Sequence, residues 1–391
     1  MVHLMIYMLT FLFFMLPFSF GEVSSQNEVG IDFNWGADSS QIKILRPYGI
    51  MQLDTESEEG LYSFNLSLLA WQNLAADEQN KLDRSRVEAR SAILNFFADN
   101  FLISVGQMTV DWGETFGYRP SDIVNPRDLR NFSPLNLDDN KIPLTALRVA
   151  ASFGLLHGEL VYSPLSQYTL LPKEIGGITL DTPRKNEVWF NEGELGFKAG
   201  FLLDSANIDF FVYRHLNRLP SLLLNTISWV PLFESINSFG INAAFSFERS
   251  VLRLDGMIST HHPILYQLAS DSLTYGRYIT LTAGFDWTFE NNALLGIQAH
   301  YDRYPITQKQ EQYGLSMQAQ YDISDYDSSI EASVYRGFIY KDQRDELKVK
   351  TKLGSHMDIS VGSERMHWGH SSPMAIVANS RSYTGKLAYQ F

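Results

Sequence analysis

Between Thr109 and Lys141 the chain gathers its least generic chemistry: Asp111, Trp112, Glu114, Arg119, Asp122, Asn125, Arg127, Asp128 and Arg130 crowd one short stretch. Acids and guanidinium groups at such density can hold one another in charge-assisted hydrogen bonds, take up a hard cation through oxygens, or present fixed charge to a passing solute. A calcium site would draw on Asp111, Glu114, Asp122, Asp128, Asp138 or Asp139, yet their spacing is not that of an EF-hand loop. No metal and no other cofactor is expected. Pro120 and Pro126 fix φ and lack an N–H, so this segment must leave any sheet. Its charges either hold only the loop's own shape or, inside a wide enough barrel, fold inward and narrow the lumen.

Other reactive residue types are scattered. Ser152, Ser163, His157, His261 and His262 stand in no Gly-x-Ser-x-Gly, His-Glu-x-x-His or phosphate-loop context. His261-His262, at the mouth of a strand, is the one pair that would suit a hydrolase at a barrel rim, and no catalytic residue is expected. The Trp-Gly pairs at Trp112 and at Trp368, the latter between His367 and His370, each follow a strand. They suit interfacial tryptophan better than a metal site.

The elements that must carry these residues are strands. Ile31, Phe33 and Trp35 alternate with Asp32 and Asn34, and Tyr62, Phe64, Leu66 and Leu68 alternate with Ser63, Asn65 and Ser67. Ile279, Leu281, Ala283, Phe285, Trp287 and Phe289 alternate with Thr280, Thr282, Gly284, Asp286 and Thr288. A period of two means one apolar and one wet face. Short turns near 99, 154, 204, 249, 291, 325 and 354 alternate with longer connections at 109–142, 163–187, 215–237, 262–277, 304–312, 340–345 and 367–380. That is the build of a transmembrane antiparallel β-barrel with short periplasmic turns and long extracellular loops. Counting gives about 18 strands, or 16 if the stretch 42–53 is not a full strand pair. A soluble sandwich or propeller would space its turns more evenly.

Composition agrees. A net charge of −13 argues against nucleic acid as a partner, and the absence of Cys excludes disulfides and thiolate metal sites. A mean hydropathy of −0.14 is too polar for a helical membrane protein but compatible with a barrel, which shows lipid only every second residue. The apolar run Leu4 to Phe20 reads as a signal peptide over 1–21, cut after Gly21, leaving 22–391 as the barrel. An n-region without Lys or Arg keeps an uncleaved anchor open as the other reading.

Two further groups belong to the wet face. Arg84, Arg86, Glu88 and Arg90 share one parity, opposite Val87, Ala89 and Ile93. Lys348, Lys350 and Lys352 share another, matched on the next strand by Asp358, Ser360 and Glu364. Lining water, they would either tile a wide wall with both signs or bias passage toward anions.

The final strand carries a resemblance. Tyr383, Gly385, Leu387, Tyr389 and Phe391 share the apolar parity up to the last residue, which resembles bacterial outer-membrane barrels. The resemblance implies that this strand closes the barrel and that Tyr389 and Phe391 form a signal for the barrel-insertion machinery. Trp112-Gly113-Glu114 followed by Asp122-Ile123-Val124-Asn125-Pro126-Arg127-Asp128 is similar to a loop motif of porin-like outer-membrane proteins. It implies a porin-type barrel, integral in the Gram-negative outer membrane among lipid and lipopolysaccharide. The expected role is passive or substrate-biased diffusion of small solutes. A plugged barrel with a structural, adhesion or assembly role, and export of lipidic material, are the competing readings; the last requires apolar residues on the inward parity, and few are visible.

Overall fold

The computed structural model describes residues 20–36, 41–57, 59–72, 74, 85–116, 118–129, 140–171, 174–175, 178–181, 184–185, 193–218, 220–224, 228–264, 266–268, 274–290, 293–305, 311–323, 327–339, 341–367 and 380–391. The leader expected over 1–21 lies almost wholly outside them, as do Arg84, Arg130, Asp138, Asp139 and Trp368 to His370.

The alternating segments form one 18-stranded sheet. In chain order the strands are Phe20–Gly36, Gln41–Ser57, Tyr62–Gln72, Ser85–Ala98, Phe101–Met108, Leu144–Phe153, Leu156–Ser163, Glu194–Leu203 and Ala206–Leu216. They continue as Ser235–Ser246, Ser250–Pro263, Tyr275–Thr288, Ala293–Arg303, Glu311–Ile323, Ser328–Gly337, Gln343–Leu353, Met357–His367 and Ser380–Gln390. Each pairs antiparallel with its predecessor. The last closes on the first, with Glu28 opposite Gln390 and Gly36 opposite Ser382. Because Gln41–Ser57 is a full strand, the count is eighteen rather than sixteen. Closure leaves no unpaired edge, so every strand's backbone polar groups are met within the sheet, as hydrocarbon requires.

Connection lengths alternate as the sequence implies. Strands meet across 99–100, 154–155 and 204–205 at one end. Asp99 (φ 46°) and Gly154 (φ 60°) take the left-handed backbone that such tight hairpin turns demand. Long connections stand at the other end, where Arg184–Lys185, Ser221–Leu224, Trp229–Phe233 and Tyr266–Leu268 make a small four-stranded sheet.

Parity holds around the ring. On Tyr275–Thr288, Leu281 is 52% exposed while its inward neighbours Thr280 and Thr282 are buried. Leu347, Val349, Val361, Leu387 and Tyr389 lie exposed on the same outer surface. One inference from the sequence fails. The register slips between Ser67 and Leu68, opposite Ser91 and Ala89, leaving Arg90 as an extra residue. This bulge flips the parity beyond it, so Ile93 packs against the cluster of buried side chains inside the ring instead of lying opposite the arginines on the outer face. The strand therefore does not hold Arg84 to Arg90 and Ile93 on two constant faces.

That inner cluster is the largest apolar core among the described residues. Met108, Val110, Trp112, Ile123, Val124, Leu144, Ala146, Val161, Phe211, Tyr213 and Met257 form it. Val110, Trp112, Ile123 and Val124 come from the segment that follows Met108 and the rest from the wall, so the described part of the 109–143 connection lies within the barrel.

Candidate functional site

The inserted segment is tied at its root by Asn125. Its side chain accepts from the Val110 N–H at 2.7 Å and donates to the Ile142 carbonyl at 2.9 Å, joining both ends of the loop. Asp122, buried, receives Arg127 at 2.9 Å and Lys141 at 3.0 Å. Lys141 also reaches Asp111. Burial alone would lower the lysine pKa, but the two carboxylates carry it above the usual lysine value. The ionic knot expected from the sequence is thus only partly self-contained: Lys141 supplies the cation that holds Asp111 and Asp122 together. Arg127 and Asp128 continue as isolated bridges to Lys141 and Leu170.

From that root the loop crosses to the wall. Trp112 is 1% exposed. Its indole N–H donates to Glu159 at 2.8 Å, its ring packs 5.4 Å from both Phe211 and Tyr213, and its carbonyl accepts from Asn242. A side chain at Gly196 could not coexist with this ring, since a Cβ there would sit 2.5 Å from the indole edge. Farther along, the Thr115 hydroxyl donates to Asp255 at 2.7 Å, joined by the Thr115 and Glu114 backbone N–H groups. Arg253 lies 3.7 Å from Glu114. The Tyr118 hydroxyl donates to Asp302 at 2.6 Å, while its backbone N–H donates to the Gln298 side-chain oxygen at 3.3 Å and its carbonyl accepts from the Gln298 side-chain nitrogen at 3.0 Å. Burial first, then the Asp302 charge, hold the Tyr118 phenol well above its ordinary pKa. It is therefore a neutral donor at physiological pH.

A second clamp grips the chain at Ile123 and Val124. Arg218 donates to the Ile123 carbonyl at 2.7 Å and to the Val124 carbonyl, and its other donors reach Glu194 at 2.7 and 3.0 Å. Tyr213 donates to the same carboxylate at 2.5 Å. Burial opposes the guanidinium charge, but Glu194 restores it and raises the pKa above the ordinary arginine value. Arg119 stands against Gly113.

Among the described residues, these side-chain anchors to the wall fall on strands from Leu156–Ser163 to Ala293–Arg303 and on Arg218 beside them. The rest of the ring presents charge to the interior. Glu88 and Arg90 pair at 3.4 Å; nothing is described of the Arg86 side chain. Lys350 meets Glu331 at 2.5 Å, and Arg344 bridges Glu346 at 3.0 Å and Glu364 at 2.8 Å. Asp358 accepts from Gln390 at 3.2 Å, and Lys386 reaches Glu28 at 3.0 Å. A cavity of about 470 Å³ opens here, lined by Lys348, Lys350, Lys352, Lys386, Asp358 and Ser360 among others. The structure thus brings Lys348, Lys350, Lys352 and Asp358 to one cavity and puts Glu364 higher on the same wall, while the loop residues are anchored on other strands. Tyr389 and Phe391 lie outward, their rings stacked 6.2 Å apart.

Sequence reasoning missed Glu159, Glu194, Arg218, Asn242, Asp255 and Asp302. All but Arg218 are polar residues on the inward parity of a strand, a visible signal. Their pairing with a loop far away in sequence is not visible. His262, the rim candidate, is buried with Nδ1 at 2.9 Å from the Pro263 carbonyl. No group of three metal-ligating side chains gathers among the described residues.

A closed antiparallel ring, apolar outside and polar inside, with one end in short turns, defines a transmembrane β-barrel. Solved structures of other proteins share this fold. OccK5 (OpdH) of Pseudomonas aeruginosa matches with a TM-score of 0.59 at 10% identity, over 95% of this chain and 98% of that one. OccAB3 of Acinetobacter baumannii matches with 0.59 at 9% identity over 95% and 99%, and OpdQ of Pseudomonas aeruginosa with 0.56 at 10% identity over 95% and 98%. No family model and no curated protein matches the chain.

Proposed function

We propose that this protein is a Gram-negative outer-membrane channel through which small solutes diffuse, passively or with a bias set by charge, without a catalytic step. The observation that carries the reading is the division of the interior. The loop from Asp111 to Asp128 is seated against one side of the ring. The wall from Ser328–Gly337 to Ser380–Gln390, beyond the last anchoring strand, is charged and water-compatible and lines a cavity. Eighteen strands enclose a lumen wide enough for an aqueous path beside such a loop. In this reading the loop sets the width of the path, and the lysines at 348, 350 and 352 set its charge.

The lysines are partly answered by Glu331 and Asp358, so the expected selectivity is a modest anion preference. Recording from purified protein in a planar bilayer tests this. Discrete openings are expected, widening when residues 111–130 are replaced by a short linker. In K348Q/K350Q/K352Q the anion preference should fall toward or past neutrality. A silent bilayer with folded protein would support the rival, a plugged barrel, which the apolar cluster around Trp112 inside the ring favours. Export of greasy material fits less well, because the inward apolar residues Val161, Phe211 and Met257 are covered by the loop.

A further inference from the structure

The inserted loop is held by two kinds of contact. Toward its root the buried acids have cations: Asp122 has Arg127 and Lys141, and Glu194 has Arg218. Glu159, which takes the Trp112 indole, also has Arg148. The tip is seated differently. Thr115 and the Glu114 backbone donate to Asp255, and Tyr118 donates to Asp302, which also accepts from Tyr278 at 3.2 Å. Asp255 is 2% exposed and Asp302 1%. Between these contacts in sequence, Phe116 lies over Gly296, where a Cβ would sit 2.8 Å from its ring.

Every one of those donors is uncharged, and among the described residues neither carboxylate pairs with a cation. Their neighbours across the strands are Asn242 and Thr282 for Asp255, and Thr280 and Gln312 for Asp302. Arg253, on the same face as Asp255, is taken by Asp286 at 2.8 Å and stands 3.7 Å from Glu114. Around Asp302 the titratable groups are Tyr118, Tyr278, Tyr304 stacked on Tyr278 at 5.4 Å, and Tyr335 stacked on His300 at 4.9 Å. Buried His300 also packs 5.2 Å from Tyr118, buried His262 packs 6.0 Å from Tyr278, and Asp342 accepts from Gln312 at 3.3 Å.

A charged acid taken out of water without a cation is costly, and a proton removes that cost. Seating the tip takes both carboxylates out of the lumen. The seated state therefore holds protons that the released state gives back, and seating strengthens as pH falls. The ion pairs of the root respond in the opposite sense, and only in solution acid enough to protonate ordinary carboxylates.

We propose that the loop tip is an acid-strengthened latch: Asp255 and Asp302 take up protons as Thr115 and Tyr118 seat on them, so the tip grips the wall in mild acid and loosens as pH rises, while the root stays fixed. The latch rests on the channel reading only for its electrical consequence, a bore that flickers less in mild acid.

Amide hydrogen exchange of the full-length protein in detergent micelles, at about pH 8 and about pH 5 and corrected for intrinsic exchange, tests it. Each proton bound only by the seated state strengthens it by up to about tenfold per pH unit. Protection over 114–118 should thus rise by at least about tenfold on acidification, while protection over 122–127 holds. D255N/D302N should show high tip protection at both pH values, and D302N alone should keep only part of the pH dependence. T115V/Y118F, which lacks the side-chain donors, should leave the tip unprotected at both. Tip protection that is constant or falls in acid, tip and root changing together, or pH dependence surviving in D255N/D302N would each overturn the latch. In planar bilayers the wild type should show fewer partial closures at the lower pH. A silent bilayer would contradict the transport reading and leave exchange to decide the latch.

Discussion

Replacing Trp112 by alanine should unseat the inserted loop and enlarge the conductance of the barrel. The indole is almost completely buried in the inner core, and truncating such a ring costs about 3–5 kcal/mol through lost contacts and the cavity left behind. The change also leaves Glu159 without the indole N–H, although Arg148 still holds that carboxylate at 2.6 Å. Trp112→Phe keeps most of the ring and loses one hydrogen bond, so its cost should be nearer 1–3 kcal/mol, roughly. Equilibrium unfolding in detergent micelles, read beside single-channel current, checks the pair. Larger or noisier openings in W112A than in W112F are the expected outcome. Equal currents and equal stability would mean that the ring does not hold the loop.

The second large effect belongs to Arg218. Its guanidinium is the partner of a carboxylate, Glu194, that has no exposed surface, and it holds two carbonyls of the loop besides. Arg218→Met strands that buried charge, and removing one partner of a buried pair costs about 3–5 kcal/mol. Combining it with Glu194→Gln removes the stranded charge, so the double variant should be more stable than Arg218→Met alone. The two loop carbonyls lose their donor in either case, so full recovery is not expected. A double-mutant cycle by equilibrium unfolding measures the coupling. If the three variants simply add, the clamp is not a unit.

These two anchors show what was and was not legible in the chain. The strands could be read because lipid, like a core, selects apolar side chains on every second residue. Leu281, Phe285 and Trp287 announce their face without any partner in view. Turn positions such as Asp99 and Gly154 could be read because tight hairpins need unusual backbone angles. The parity flip at Arg90 could not, since a bulge is defined by the register of a neighbour and nothing in the strand itself marks the extra residue. Prolines at 120 and 126 marked the loop as leaving the sheet. Its landing points, Asp255 and Asp302, look like any other polar residue on a wet face. They acquire their role from a chain segment well over a hundred residues earlier, at a distance where local pattern carries no information. Lys141 was passed over for a similar reason: a lone lysine after a loop gives no hint that it holds two acids from the loop's far end.

The central claim is that solute passes along the charged wall at Lys350 while the neighbouring position faces lipid. The chain has no native cysteine, so a single thiol can be placed at either site without background. Lys350→Cys and Val349→Cys should both form channels in a planar bilayer, and a water-soluble anionic thiol reagent should reduce the current of the first and leave the second unchanged. Block at both positions, or at neither, would contradict the account.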